Sequence, residues 1–169
     1  MMEAVATFLG AASLAAGVAV TMRSLRTSQI RTPTIPPGWL PVLSAEVLTQ
    51  HLGADSLIAS IRVKTGLAPV NFERDYGQTI GRFMAFVQLL PASESHHHAQ
   101  PGGLLLHALE TANIALHLRR AQVLPPGVAP EDIQRREHRW TFGVFLAALI
   151  HDVGKPLADL HIVIAKQRG

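Results

Sequence analysis

Apolar residues recur at three- and four-residue steps through most of the chain after residue 43, and four stretches carry that helical period. Ser44 supplies an N-cap for the first. Val47, Leu48, Leu52, Leu57, Ile58 and Ile61 fall on its repeat, with a break at Gly53 and an end near Gly66. The second runs from about Phe72 to Leu90 through Tyr76, Ile80, Phe83 and Val87, and Pro91 ends it. A third opens after Pro101-Gly102-Gly103 and sets Leu105, Leu109, Ala112 and Leu116 on one side. Beyond a proline-rich loop, Pro125 to Pro130, the fourth extends from about Glu131 to Val153. Between Trp140 and Ile150 it is apolar on every face, which predicts that it forms the buried centre of the domain. No segment alternates β-branched residues at a period of two, so the expected fold class is all-α.

The start of the chain has a different texture. Ala4 to Met22 is an uncharged stretch of nineteen residues, followed by Arg23 and Arg26. About 20 apolar residues span a bilayer, so residues 1–26 are a candidate membrane anchor. Positive charges placed after the stretch keep the remainder in the cytoplasm, and the expected location is cytoplasmic, at the inner membrane if the stretch inserts. Its richness in Ala and Gly fits a buried helix equally well. Residues 27–43, with Pro33, Pro36, Pro37, Gly38 and Pro41, read as a linker. The helical domain then occupies 44–169, long enough to bury a sizeable core.

At 169 residues, 48% hydrophobic and 16% charged, the chain is a folded protein of one ordinary domain. A net charge of +3 tolerates a polyanion without announcing one. There is no cysteine, which excludes disulfides and thiolate metal sites, so any metal must be held by imidazole and carboxylate. Nine histidines make such a site a real candidate.

His151-Asp152 stands at the end of the apolar fourth helix, where an ionised carboxylate needs a partner. One cation between the two side chains satisfies both. Gly154 is expected to turn the chain out of the helix and Pro156 to prevent its resumption, while Lys155 beside the pair can neutralise a phosphate oxygen. His107 lies among leucines on the third helix, and Glu110, three residues on, is placed to fix its tautomer. Two neighbouring helices can bring His107 and His151 to one ion. His96-His97-His98 occupy the loop before Gly102-Gly103, whose helix start offers backbone N–H groups to an anion. A solvated polar loop and an uncomplicated helix end are the plain alternatives. Tyr76, the single tyrosine, reads as a half-buried aromatic of the second helix rather than a nucleophile.

Three strings carry a family likeness: IPPGWLPVL, FVQLLPASESHHHAQPGGLLLHALETA and ALIHDVGKPLADL. From about Pro36 to Ile164 the chain resembles the N-terminal domain of TraI-type relaxases of the MobH class, found in integrative and conjugative elements. The last string is also similar to the HD superfamily of metal-dependent phosphohydrolases. The resemblance implies an HD-domain-like helical bundle, here preceded by an apolar N-terminal helix. It implies His107, His151 and Asp152 as ligands of a divalent metal (Mn, Mg or Fe). It further implies catalytic roles for Lys155 and for His96, His97 and His98, which match the class's triple-histidine motif. The activity implied is metal-dependent DNA nicking at a transfer origin, with DNA and other conjugation proteins as partners. Relaxases of the class continue into a further C-terminal region, and the distal aspartate of the HD pattern has only Asp159 to stand for it. The expectation is therefore a C-terminally truncated domain with an incomplete site and little nuclease activity of its own. The alternative is a non-catalytic, membrane-tethered helical interaction module, or an inactive fragment of a split relaxase gene.

Overall fold

The chain divides between Thr34 and Ile35 into two units. The computed structural model describes residues 38–93, 97–159 and 163, all in the second. The apolar stretch 4–22, the proposed linker up to residue 37, His96, and the side chain of Asp159 lie outside the described residues. Among the described residues the structure is helical, without a strand, and no helix is long and apolar enough to cross a membrane.

The first predicted helix is two. α1 (Ala45–Leu52) begins where Val47 N–H donates to the Ser44 hydroxyl at 3.4 Å. It stops at Gly53, whose φ of 64° is the left-handed conformation that glycine adopts without strain. α2 (Asp55–Thr65) follows and ends at Gly66. The second predicted helix starts earlier than expected, with Pro69 in its first turn, and contains a local widening. α3 (Pro69–Phe72) passes through a π-turn (Glu73–Gly77) into α4 (Gln78–Val87). It terminates at Gln88, three residues before Pro91, and the cause is tertiary. Gln88 adopts φ 48°, and its amide accepts from Leu43 N–H at 2.8 Å and donates to Leu43 C=O at 3.1 Å.

α5 (Gly103–Arg120) and α6 (Pro130–Ile150) complete the core. The expectation that residues 140–150 form its centre is wrong. In that stretch only Thr141, Phe145 and Leu149 are buried, a single stripe at four-residue steps, while Trp140 and Ile150 are 41% and 42% exposed. α6 packs on α5 along one side, and small residues such as Gly143 and Ala147 form much of its open side. The centre is α5, which packs against both α2 and α6. It fully buries Leu104, Leu105, Leu109, Ala112 and Leu116. Phe145 meets the Tyr76 ring at 4.7 Å between centroids, and Phe142 meets it edge-on at 5.2 Å, so the π-turn is cemented to α6.

The end of α6 also departs from expectation. The helix closes at Ile150, residues 151–154 form turns, and α7 (Lys155–Asp159) starts at once. Pro156 does not block it. At the second position of a helix a proline gives up an N–H that has no intrahelical partner anyway. Nor is Gly154 in a left-handed conformation; its carbonyl accepts from Ala158 N–H at 3.3 Å.

Candidate metal centre

The beginning of α5 lies beside the end of α6, and this brings three predicted residues together. His107 Nε2 is 3.2 Å from His151 Nε2 and 3.3 Å from Asp152 Oδ2, and His151 Nε2 is 3.4 Å from the same oxygen. These donor atoms form a group that could hold a metal ion. Their spacing fits one: donors about 2.0–2.1 Å from a tetrahedral ion stand about 3.3–3.4 Å from each other. The donor set, two imidazoles and a carboxylate, suits a borderline or hard divalent cation.

Local hydrogen bonds prepare the donors. His151 Nδ1 is 2.7 Å from the Ala148 carbonyl, which can only accept, so Nδ1 carries a proton and Nε2 is the ring atom turned toward His107 and Asp152. Burial pushes the His107 imidazole below its ordinary pKa, helped by the neighbouring His151 and opposed by Asp152, which favours the form able to bind a metal. At Asp152, burial works to raise the pKa. The Lys155 hydrogen bond and the charges of His151, Lys155 and His107 outweigh it, and the carboxyl is held below the usual range. Lys155 Nζ lies 2.6 Å from Asp152 Oδ2, the oxygen that also faces both histidines. The Asp152 side chain is only 15% exposed, so its charge is paired rather than hydrated.

The triple-histidine loop behaves differently from its expected form. His97 is exposed and its carbonyl accepts from the Ser93 hydroxyl at 3.3 Å. Of the two described members, His98 reaches the site: its ring lies 5.4 Å from that of His107 between centroids. Glu110, expected beside His107, instead meets His98, Oε2 to Nε2 at 3.1 Å.

The helix start after Gly102-Gly103 is not an open anion cradle. The N–H groups of Gly102, Gly103 and Leu104 donate to the carbonyls of Leu89, Gln100 and Leu90 at 2.9–3.0 Å, which leaves them nothing for a phosphate. Gly103 is needed for another reason. A Cβ there would overlap the His98 carbonyl oxygen, so the missing side chain is the slot into which the histidine loop closes. A glycine pair after a histidine run carries that second meaning as readily as the first, and only the tertiary contact separates them.

Tyr76 is more than half-buried. It is 2% exposed, stacked on Phe72, and burial lifts its phenol to about 12.

Compared with known proteins, the chain matches the family model TraI_2, described as "Putative helicase", over residues 38–168. No curated protein and no solved structure matches it.

Proposed function

The chain belongs to the TraI_2 family, and on that premise we propose that residues 44–169 are an HD-like relaxase domain whose centre serves metal-dependent phosphodiester chemistry on DNA in conjugative transfer. The observation that carries this reading is the mutual spacing of His107, His151 and Asp152, three donor atoms that lie 3.2–3.4 Å from one another. The nucleotide-cradling loop of P-loop helicases, Gly-x4-Gly-Lys-Ser/Thr, does not occur in the sequence, so the chemistry rests on this cluster.

His107 and His151 offer imidazole nitrogens, and Asp152 offers the negative charge that favours a divalent over a monovalent ion. Fe and Mn suit a histidine–carboxylate set, whereas Mg would rely on the Asp152 oxygen and water. A divalent cation bound there polarises a phosphodiester and lowers the pKa of an attacking oxygen. Lys155 holds Asp152 in place, and its ammonium stands at the rim to pair with a phosphate oxygen. Tyr76 is not the nucleophile, being buried and packed among phenylalanines. Among the described residues the group offers three protein ligands, one carboxylate fewer than the HD pattern, and the chain by itself is expected to nick DNA poorly. On this reading the partners are transfer-origin DNA and other conjugation proteins, and the work is done in the cytoplasm.

Elemental analysis of the purified chain tests the proposal. The wild type is expected to carry bound divalent metal, and His151→Ala and Asp152→Ala to lose it, with affinity falling by more than the ~10–100-fold typical of outer-shell changes. Wild-type protein that stays metal-free in excess Mn²⁺ defeats the reading.

A further inference from the structure

The first half of α6 stands clear of the core that holds its second half: every residue from Gln134 to Trp140 is exposed. Arg136, Arg139, Trp140 and Gly143 follow one another at steps of three, one and three, the spacing of a single helix face. Ala147 extends the stripe. His151, four residues further on and still helical in its backbone (φ −56°, ψ −32°), ends it. At 1.5 Å per residue the stripe runs about 22 Å along the helix from Arg136 to His151. Arg135, Arg136, Arg139, Trp140 and Gly143 line one open hollow on this side.

The positive charge of this stripe has no counterpart within it. Arg139 has Arg135 four residues before it and Arg136 three before it, and like charges at those steps weaken a helix. Asp132, four residues before Arg136, is taken by Arg135. Glu137 points about 100° away from Arg136, to the flank. Among the described residues neither Arg136 nor Arg139 enters an ion pair. Trp140 stands 41% exposed beside them, and nothing lies within 4 Å of the position a Gly143 Cβ would take. Two guanidinium forks match phosphate oxygens, an open indole offers a base a surface to stack on, and the small residues leave room for a strand to pass. A lipid surface or a protein partner calls for a broader cluster of apolar anchors than one indole set between arginines and small residues.

We propose that this face of α6 is a docking track for single-stranded DNA. Arg136 and Arg139 hold phosphates, Trp140 stacks on a base, and the strand passes over Gly143 and Ala147 toward the end of the helix. The choice of DNA as the polynucleotide rests on the proposed function; the track itself needs no metal. Its contacts are to the sugar-phosphate backbone and to the flat side of a base, so it grips a strand without reading its sequence.

The test is fluorescence anisotropy of a labelled oligothymidylate titrated with the full chain, in chelator and at several salt concentrations. The wild type is expected to bind with a logarithmic salt slope of about −1.4, the value for two phosphates on a single strand. Arg136→Gln combined with Arg139→Gln is expected to bind at least tenfold more weakly and to lose the salt slope. Trp140→Ala is expected to lose about tenfold at an unchanged slope, and Trp140→Phe to recover most of it, which separates stacking from charge. The chain has two tryptophans, so in a Trp39→Phe background the emission of Trp140 alone is read, and the oligonucleotide is expected to quench it. Variants that bind as the wild type does, Trp140 emission that does not move, or tighter binding to a duplex or to oligouridylate each overturn the proposal. So does a chain that ignores the oligonucleotide and sediments with phosphatidylserine vesicles. A chain that carries metal yet fails to bind the oligonucleotide overturns the track and leaves the proposed centre intact; a metal-free chain that binds it as described upholds the track and defeats the centre.

Discussion

At the residue scale, Asp152 Oδ2 is the busiest atom of the site, facing His107, His151 and the Lys155 ammonium at once. Lys155 thus already supplies a positive charge where a metal would supply one, and the two compete. Lys155→Met is expected to bind Mn²⁺ about tenfold more tightly, the scale of one charge-assisted hydrogen bond, and to bind inorganic phosphate more weakly once loaded. Parallel Mn²⁺ titrations of variant and wild type check this, and weaker Mn²⁺ binding by the variant would refute the competition. Tyr76 gives a second prediction of known sign. Its phenol is raised from 10.0 to about 12 by burial, so the unfolded chain loses this proton at a lower pH than the folded one. The stabilisation is complete below pH 10 and disappears as pH rises through about 12. Because the chain has one tyrosine, tyrosinate absorbance follows the event directly. A midpoint near 10 would contradict the burial, and Tyr76→Phe should flatten the alkaline fall in stability.

Two glycines at the element scale look alike in the sequence and differ in the structure. Gly103 opens α5 against the His98 carbonyl, whereas Gly143 sits on the open side of α6 with nothing near the position a Cβ would take. Gly103→Ala is expected to destabilise by about 1–3 kcal/mol and to push the histidine loop off α5. Gly143→Ala is expected to stabilise by about 0.5–1 kcal/mol, since it adds helix propensity without a clash. Urea unfolding of both variants decides this, and equal effects would mean the loop does not close on Gly103 as described. The same contrast explains why α6 is not the centre of the core. Its 140–150 stretch is apolar in composition, but a helix becomes central only when neighbours surround it, and α5 holds that place between α2 and α6.

Across the whole molecule, the candidate centre joins the start of α5 to the end of α6, so a bound cation would act as a clasp between them. Mn²⁺ at a hundredfold excess over its dissociation constant should stabilise the wild type by about 2.7 kcal/mol and leave His151→Ala unchanged, as read from thermal melts. An unshifted wild-type melt would show that no clasp forms. The periodic leucines, the Ser44 cap and the glycine stop at Gly53 were legible in the sequence because each is decided within a turn or two of chain. So were His107, His151, Asp152 and Lys155 as a candidate group, since their residue types and helix-end placement restrict what they can do. The packed structure alone decided that Glu110 serves His98 and that the Gly102-Gly103 amides are taken by Leu89, Gln100 and Leu90. It alone decided which face of α6 is covered. Local preference reads the neighbours a residue has along the chain; hydrogen-bond partners and burial depend on residues brought close by folding, and those distances are not written in any one segment.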